Sequence, residues 1–478
     1  MVRLPAKGLE RIARRESPTS GEATKWAAKR HAQTTHKNQQ FTINNRPSNM
    51  QNFIAELRWR GLLQAMTEGL EEVLLSENTA KRGYIGFDPT APSLTIGNFV
   101  QIATLRRFQQ AGHQPVVLLG GATGRIGDPS GKDAERTLQT IDVLDQNVRH
   151  QSQQFAKFLD FDPKTPNAAS IVNNWDFYKD MNALTFLRDI GKNITVNYML
   201  AKDSVRNRME TGISFTEFSY QLIQGYDFEY LHKNHDVILQ MGGGDQWGNI
   251  TTGLEFVRKA GGKAHALCTP LLTKADGKKF GKSETGTLWL DPALTSPFQF
   301  YQYWLGNNIS DDDLPNLYRV LSFRSQAEIE AIETEFAADP ITRRRLLAEE
   351  LTTLIHDAQA LENAQTATKI VHSPKLSLEY LQALSLDAWT AVARELETHT
   401  VTAEQLAAGL PLVDWLVEKA IFSSKNEARK AIQNNALALN TEKISDAAVE
   451  VSAANFLSAG FMLLQNGKKT KYVIQLEK

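Results

Sequence analysis

Apolar positions along the chain follow two alternating spacings. Short apolar runs closed by Gly, Asp, Asn or Thr predict strands at Tyr84–Gly86, Pro115–Leu119, Ala169–Val172 and Val237–Met241. Between them apolar residues return every three or four positions. This happens at Phe53, Leu57, Trp59, Leu62 and Leu63, across Phe99–Phe108, and over Phe215–Phe228. Strands and helices in alternation predict an α/β domain built on a parallel sheet, over residues 50–295. From Ser296 the helical spacing continues alone, which predicts an α-helical domain over 296–372. Residues 373–408 hold Ser-Pro, Leu-rich and Thr-rich segments with no chemical signal and read as a linker. Residues 409–478 read as a small α+β module. It has two helices within Leu412–Ile432, the second capped by Ser423 or Ser424 with Glu427 as capping-box partner, and strands at Ala436–Asn440 and Tyr472–Gln475. The stretch Ala183–Leu200 is more apolar than a surface helix needs; it reads either as core or as a face against another subunit.

Composition narrows the class. With 478 residues, 42% of them hydrophobic, and a formal net charge of -1, the chain is globular, with about two to four domains. Contact with nucleic acid must be local, because no global positive field exists. Cys268 is the only cysteine, so an intrachain disulfide and a Cys-rich zinc site are both excluded, which fits a reducing compartment. No apolar run reaches the roughly 18 residues of a membrane span. Residues 1–49 are basic, poor in acids and without apolar period, and read as disordered. They fit a transit peptide, a dispensable leader, or a start site placed too early with Met50 as the true beginning.

The chemistry gathers at strand ends, where open α/β sheets bind ligands. After the first strand comes Gly86-Phe-Asp-Pro-Thr-Ala-Pro-Ser-Leu-Thr-Ile-Gly-Asn98, a turn leading into a helix N-terminus and suited to an anion. No G-x-G-x-x-G is present. The second strand runs into Gly120-Gly-Ala-Thr-Gly-Arg-Ile-Gly-Asp-Pro-Ser-Gly-Lys132. This is not a P-loop: Gly127 and Gly131 enclose three residues, and Asp133 follows the lysine. Asp128 suits a ligand ammonium. Lys132 and Arg136, four apart, suit a leaving pyrophosphate or form a solvated basic face. Tyr220, Gln224 and Asp227 make one polar stripe on an otherwise apolar helix, as expected of a cavity wall. Gly242-Gly-Gly-Asp-Gln-Trp lets backbone approach a ligand closely, with Asp245 placed for ribose hydroxyls. Thr273–Gly286 is a basic loop.

Thr95-Ile-Gly-Asn98 resembles the first signature of class I aminoacyl-tRNA synthetases, usually His-Ile-Gly-His. Lys279-Phe-Gly-Lys-Ser283 resembles the second, usually Lys-Met-Ser-Lys-Ser. With the segments Tyr220-Gln-Leu-Ile-Gln-Gly-Tyr-Asp227 and Gly244-Asp-Gln-Trp-Gly-Asn-Ile250, the chain resembles the bacterial-type tyrosyl-tRNA synthetases over roughly residues 50–365 and again in the C-terminal module. The resemblance implies a Rossmann-like catalytic domain, an anticodon-arm-binding helical domain and an S4-like RNA-binding domain. It implies that Tyr84 and Asp227 grip a tyrosine phenol, Asp128, Tyr220 and Gln224 hold its ammonium, and Gln246 lies near its carboxylate. Asp88, Gly97, Gly243 and Asp245 would seat adenosine. Thr90, Thr95, Asn98, Lys132, Arg136, Lys279, Lys282 and Ser283 would surround the triphosphate. Lys425, Arg429, Lys468, Lys469 and Lys471 would face RNA. The implied partners are L-tyrosine, ATP with Mg²⁺, tRNA(Tyr) and a second copy of the chain, with no zinc, no protein-held metal and no membrane. The implied location is the cytoplasm, or the mitochondrion if residues 1–49 are a transit peptide. Thr95 departs from the family: it is shorter than His and never cationic. Asn98 is a milder change. A catalytically weakened paralogue that binds RNA and a free nucleotidyltransferase are the competing readings.

Overall fold

The computed structural model describes residues 52–477 except 77–78, 131–136, 210–211, 276, 278–279, 284–285, 307–308, 458 and 469; for Ser204, Lys282 and Ser283 it describes the backbone alone. The expectations for residues 1–49, Lys132, Arg136, Lys279 and Lys469 lie outside the described residues. The chain forms two compact units. Among the described residues, one comprises those from Asn52 to Leu294 together with Ser310–Glu335; the other comprises Thr295–Ile309 with Phe336–Glu477.

The first unit is built on six strands: β1 (Ala65–Met66), β2 (Arg82–Phe87), β3 (Gln114–Leu119), β4 (Ser170–Asn173), β5 (Val237–Gly243) and β6 (His265–Thr269). Their order is β1-β6-β5-β2-β3-β4, parallel except for β1 at the edge. Every predicted strand is present, with ends that differ by a residue or two. The chain runs outward from β2 to β3 and β4 on one side, and β5 and β6 lie on the other. The order therefore reverses between β2 and β5, which opens a crevice at their carboxyl ends. The helices include α1 (Phe53–Trp59), α2 (Leu70–Leu75), α3 (Ile96–Gln110), α4 (Ile141–Gln154), α5 (Phe215–His235) and α6 (Trp247–Lys259). Ser214 caps α5 by accepting from Glu217 N–H. Two glycines let α5 and α6 approach closely. A Cβ on Gly225 would lie 2.9 Å from the Phe256 ring, and one on Gly253 would lie 2.9 Å from Phe228. The apolar stretch Ala183–Leu200 forms short helical turns that bury Ile190, Ile194 and Met199 and leave Leu184, Leu187 and Val196 exposed.

Two helices expected in the helical domain, α8 (Leu314–Leu321) and α9 (Gln326–Glu335), belong instead to the first unit. Arginines hold them there. Arg60 donates to the carbonyls of Arg319 (2.8 Å), Ser322 (3.0 Å) and Arg324 (2.7 Å), and Arg107 to those of Val320 and Ser322 (both 2.9 Å). Cations at a helix C-terminus satisfy carbonyls the helix leaves open. Phe323 packs under Arg106 and Arg107.

The second unit contains α7 (Pro297–Leu305), α10 (Pro340–Ile355), α11 (Ala358–His372), α12 (Leu386–Glu395), α13 (Leu412–Glu418) and α14 (Lys425–Gln433). Its sheet, in the order β12-β11-β14-β15-β9, uses β9 (Glu397–Thr402), β11 (Leu437–Leu439), β12 (Glu442–Lys443), β14 (Phe461–Asn466) and β15 (Thr470–Glu477). Residues 373–408 are therefore not a linker. They supply β9, parallel to β15, and α12, whose Trp389 is fully buried and stacks on Phe461 with ring centroids 5.6 Å apart. The physical reason is that β14 and β15 bury both faces. Met462, Leu464 and Ile474 pack toward α13 and α14, whereas Phe461, Leu463 and Val473 pack with Ile370, Leu381, Trp389 and Val392. Ser424 caps α14, and Glu427 reaches back to Ser423.

Candidate active site

At the carboxyl ends of the strands the structure brings Tyr84, Asp88, Asp128, Tyr220, Asp227 and Gln246 together. Tyr84 points from β2 into the core and is 0% exposed; Asp227, on α5, is 1% exposed. Among the described residues, the Tyr84 hydroxyl, Asp227 Oδ1 and Gln224 Oε1 are buried and have no hydrogen-bond partner. A buried polar atom left unpaired costs about 1–3 kcal/mol, so the Tyr84 and Asp227 atoms, near enough for the Asp227 charge to act on the phenol, mark a place for a polar ligand. Burial pushes the Asp227 carboxyl well above its ordinary range, the Asn174 hydrogen bond opposes that shift, and Asp88 adds to it. Burial, with the Asp227 charge, raises the Tyr84 phenol in turn. Tyr178 also approaches Asp227, but its hydroxyl hydrogen is given to the Ile223 carbonyl at 2.7 Å.

Behind this pair runs a polar chain that sequence reasoning missed. Asn174 is fully buried. It donates to Asp227 Oδ2 and to Thr123 Oγ1, each at 3.1 Å, and accepts from Ala122 N–H at 2.6 Å. Thr123 donates to Asp88 Oδ1 at 2.6 Å, and the Tyr220 hydroxyl donates to Asp88 Oδ2 at 2.8 Å. Asp88, Asp227 and Tyr220 are thereby fixed relative to one another through the ends of three strands. The one available signal was Asn173-Asn174 directly after a strand. Gly120 and Gly121 are needed here, because a Cβ on either would overlap Asp88 or Asn173.

Asp128 is also buried. Its carboxylate accepts from Ser130 N–H (2.9 Å), Gln246 Nε2 (2.7 Å) and Asn249 Nδ2 (3.3 Å). A carboxylate offers about four acceptor positions, so room remains for a ligand ammonium. Gly243 ends β5, and Asp245 lies exposed just beyond it. Thr90 is exposed near the start of the turn, and Gly97 is exposed in the first turn of α3.

Thr95 and Asn98 do something local. Thr95 caps α3: its hydroxyl accepts from Asn98 N–H (3.3 Å) and donates to Asn98 Oδ1 (2.9 Å), which also accepts from Thr95 N–H (3.0 Å). This capping box fixes where α3 begins and leaves Gly97 in its exposed first turn. The second signature lies beside the first. Ile96 N–H donates to Leu288 O (3.1 Å) and Leu290 N–H to Leu94 O (2.9 Å). Gly281, at φ +85°, sits against Ile96 so closely that a Cβ would overlap it. The backbone of Lys282 and Ser283 forms β7, paired with Gly286–Thr287.

The expected RNA-facing residues separate. Arg429 and Lys468 are exposed. Lys425 is exposed and pairs with Asp414 at 2.8 Å, an ion pair weak enough to exchange for a phosphate. Lys471 is a correction. It is 5% exposed and its ammonium donates to the carbonyls of Ile370 (2.6 Å), Val371 (3.3 Å) and Ser373 (2.6 Å), so it cannot face RNA. Among the described residues no group of three or more His, Cys, Asp or Glu gathers to hold a metal, and no helix is long and apolar enough to cross a membrane.

Comparisons with known proteins show the family. The family described as tRNA synthetases class I (W and Y) matches residues 76–373, and the tyrosine–tRNA ligase SYY-like C-terminal domain matches residues 392–474. A tyrosine–tRNA ligase of Porphyromonas gingivalis is 49% identical over 434 residues, covering 89% of this chain and 100% of the relative. One of Flavobacterium psychrophilum is 46% identical over 437 residues, covering 90% and 100%. A C-terminally truncated mitochondrial tyrosyl-tRNA synthetase of Aspergillus nidulans superposes with a TM-score of 0.58 at 28% identity, covering 72% of this chain and 99% of that one. By the family match and these relatives, the chain belongs to the class I tRNA synthetases, and within them to the tyrosine–tRNA ligases.

Proposed function

We propose that the crevice performs both half-reactions of a tyrosine–tRNA ligase, and that the unpaired Tyr84 hydroxyl and Asp227 Oδ1 are the receptors of the substrate phenol. The chain uses tyrosine, ATP and tRNA. The observation that carries the assignment of residues is the burial of those two atoms without partners. The tyrosine hydroxyl donates to Asp227 and accepts from Tyr84. Its ammonium meets Asp128, Gln224 and the Tyr220 oxygen, whose own hydrogen is already given to Asp88. Gln246, held by Asp128, lies beside the carboxylate.

One carboxylate oxygen of tyrosine attacks the α-phosphorus of ATP. A new O–P bond forms, the bond to the bridging oxygen of the β-phosphate breaks, and pyrophosphate leaves with the electron pair. The α3 amides behind the Thr95–Asn98 cap, with Thr90, receive phosphate oxygens. Lys132, Arg136, Lys279, Lys282 and Ser283 are proposed to add positive charge and donors. Asp88, Gly97, Gly243 and Asp245 seat the adenosine. Such chemistry depends on positioning and charge stabilisation. Mg²⁺ enters as the companion of ATP phosphates, the usual mode for this ion. In the second half-reaction a terminal ribose hydroxyl of the tRNA attacks the adenylate carbonyl and AMP leaves. We place this activity in the cytoplasm.

Losing the phenol contact leaves buried polar groups unmatched, a relation for which tyrosyl synthetases are themselves the standard example. Asp227→Ala is therefore expected to reduce the preference for tyrosine over phenylalanine in pyrophosphate exchange by about a hundredfold. Unchanged tyrosine activation in that variant would remove Asp227 from the pocket.

We also propose a homodimer. Phe215 is 74% exposed and Leu184 78% exposed, with Val196, Met209 and Leu187 also open. Apolar surface of this kind marks protein contact. Phe215→Asp is expected to convert a sedimenting dimer to monomer; a variant that stays dimeric would place the interface elsewhere.

The C-terminal module is proposed to bind the tRNA backbone through Arg429, Lys468 and Lys425. Charge reversal at Arg429 and Lys468 should raise KM for tRNA. It should also lower the slope of log affinity against log salt by about 1 for each phosphate no longer neutralised. Pyrophosphate exchange should stay unchanged. Charging at wild-type KM would refute the assignment.

A further inference from the structure

Lys471 is costly to bury, and the structure gives it no carboxylate partner among the described residues. Its three acceptors are all carbonyls in or just after the last turn of α11. Burial lowers its pKa to about 8. The residue sits on β15, in the part of the chain matched to the SYY-like C-terminal domain, whereas α11 closes the part matched to the synthetase family. Beneath the ammonium, Ile370 and Ala367 of α11 and Trp389 and Val392 of α12 pack against Phe461, Leu463 and Val473. A dry apolar contact alone tolerates sliding; a charge whose only acceptors are one helix end does not. A buried polar group of this kind selects one arrangement among several apolar ones.

We propose that Lys471 is a positioning residue for tRNA charging: it locks the C-terminal sheet to the end of α11, so that helices and module meet tRNA as one rigid platform. The inference rests on the reading that this module contacts tRNA and on the helical domain meeting the anticodon arm, as the family resemblance implies. Two tRNA contacts on a rigid body act as one linked site, and loosening the link lowers the effective concentration of the second. The lock contributes nothing to tyrosine or ATP binding, which take place in the other unit.

The test uses the full-length enzyme carrying Lys471→Met, which keeps the aliphatic stem and removes the donors. Pyrophosphate exchange with tyrosine and ATP should remain within about twofold of wild type. KM for tRNA in charging should rise by about tenfold, with kcat unchanged, as expected for a weakened linkage between two contacts. Lys471→Arg, which restores donors to the same carbonyls, should bring KM back. If the methionine variant does not fold, Lys471→Gln takes its place, with the same expected rise. An unchanged KM for tRNA in a folded variant overturns the lock. The Arg429 and Lys468 charge reversal separates the two ideas. If that variant binds tRNA weakly while Lys471→Met binds normally, only the lock is wrong; if neither matters, the RNA-contact reading falls as well.

Discussion

One carboxylate oxygen and one phenol hydroxyl, both removed from water and both without a hydrogen-bond partner among the described residues, set the terms for the first unit. Asp227 and Tyr84 would each prefer solvent or a hydrogen bond. The fold denies them solvent by burying Tyr84 on β2, where the Phe228 ring meets it edge-on at 5.5 Å, and Asp227 on α5. It keeps Asp227 in place with the chain Asn174, Thr123 and Asp88, each of which follows or ends a different strand. A ligand hydroxyl that satisfies both atoms recovers what folding left unmatched. An apolar ring recovers nothing. Selectivity thus follows from a deficit built into the folded chain.

That deficit depends on close packing elsewhere. The reciprocal Gly–Phe contacts between α5 and α6 fix the height of the polar stripe above the sheet, because Gly225 lies between Gln224 and Asp227 in sequence. The strand reversal supplies the crevice, and the capping box at Thr95 fixes where α3 begins. The pairing of Leu94–Ile96 with Leu288–Leu290 then carries the backbone of the second signature to the first, although nearly two hundred residues separate them in sequence. In this protein the Thr95–Asn98 pair acts through helix geometry: both side chains are turned toward one another.

Much of this was legible in sequence because it is written in short-range patterns. Strands bounded by small polar residues, the stripe Tyr220–Gln224–Asp227 and the glycine run before Asp245 all depend on spacing alone. Asn174 was not legible, since its role needs β4 beside β3 and α5 above both. The arginine clamp on α8 was hidden for the same reason: Arg60 and Arg107 act on carbonyls more than two hundred residues away. Lys471 could have been found. It lies two residues before Val473 on one strand, so period-two alternation puts both on one face. The run Phe461-Met-Leu-Leu464, apolar at every position, is the mark of a strand buried on both sides. Together they rule out a free module after a flexible linker.

The most direct measurement is a crystal structure of the full-length protein with L-tyrosine bound. The phenol oxygen is expected within hydrogen-bonding distance of both the Tyr84 hydroxyl and Asp227 Oδ1, with the ammonium at Asp128. A tyrosine seated with its hydroxyl in water, or with these two side chains still unpaired, would contradict the central claim.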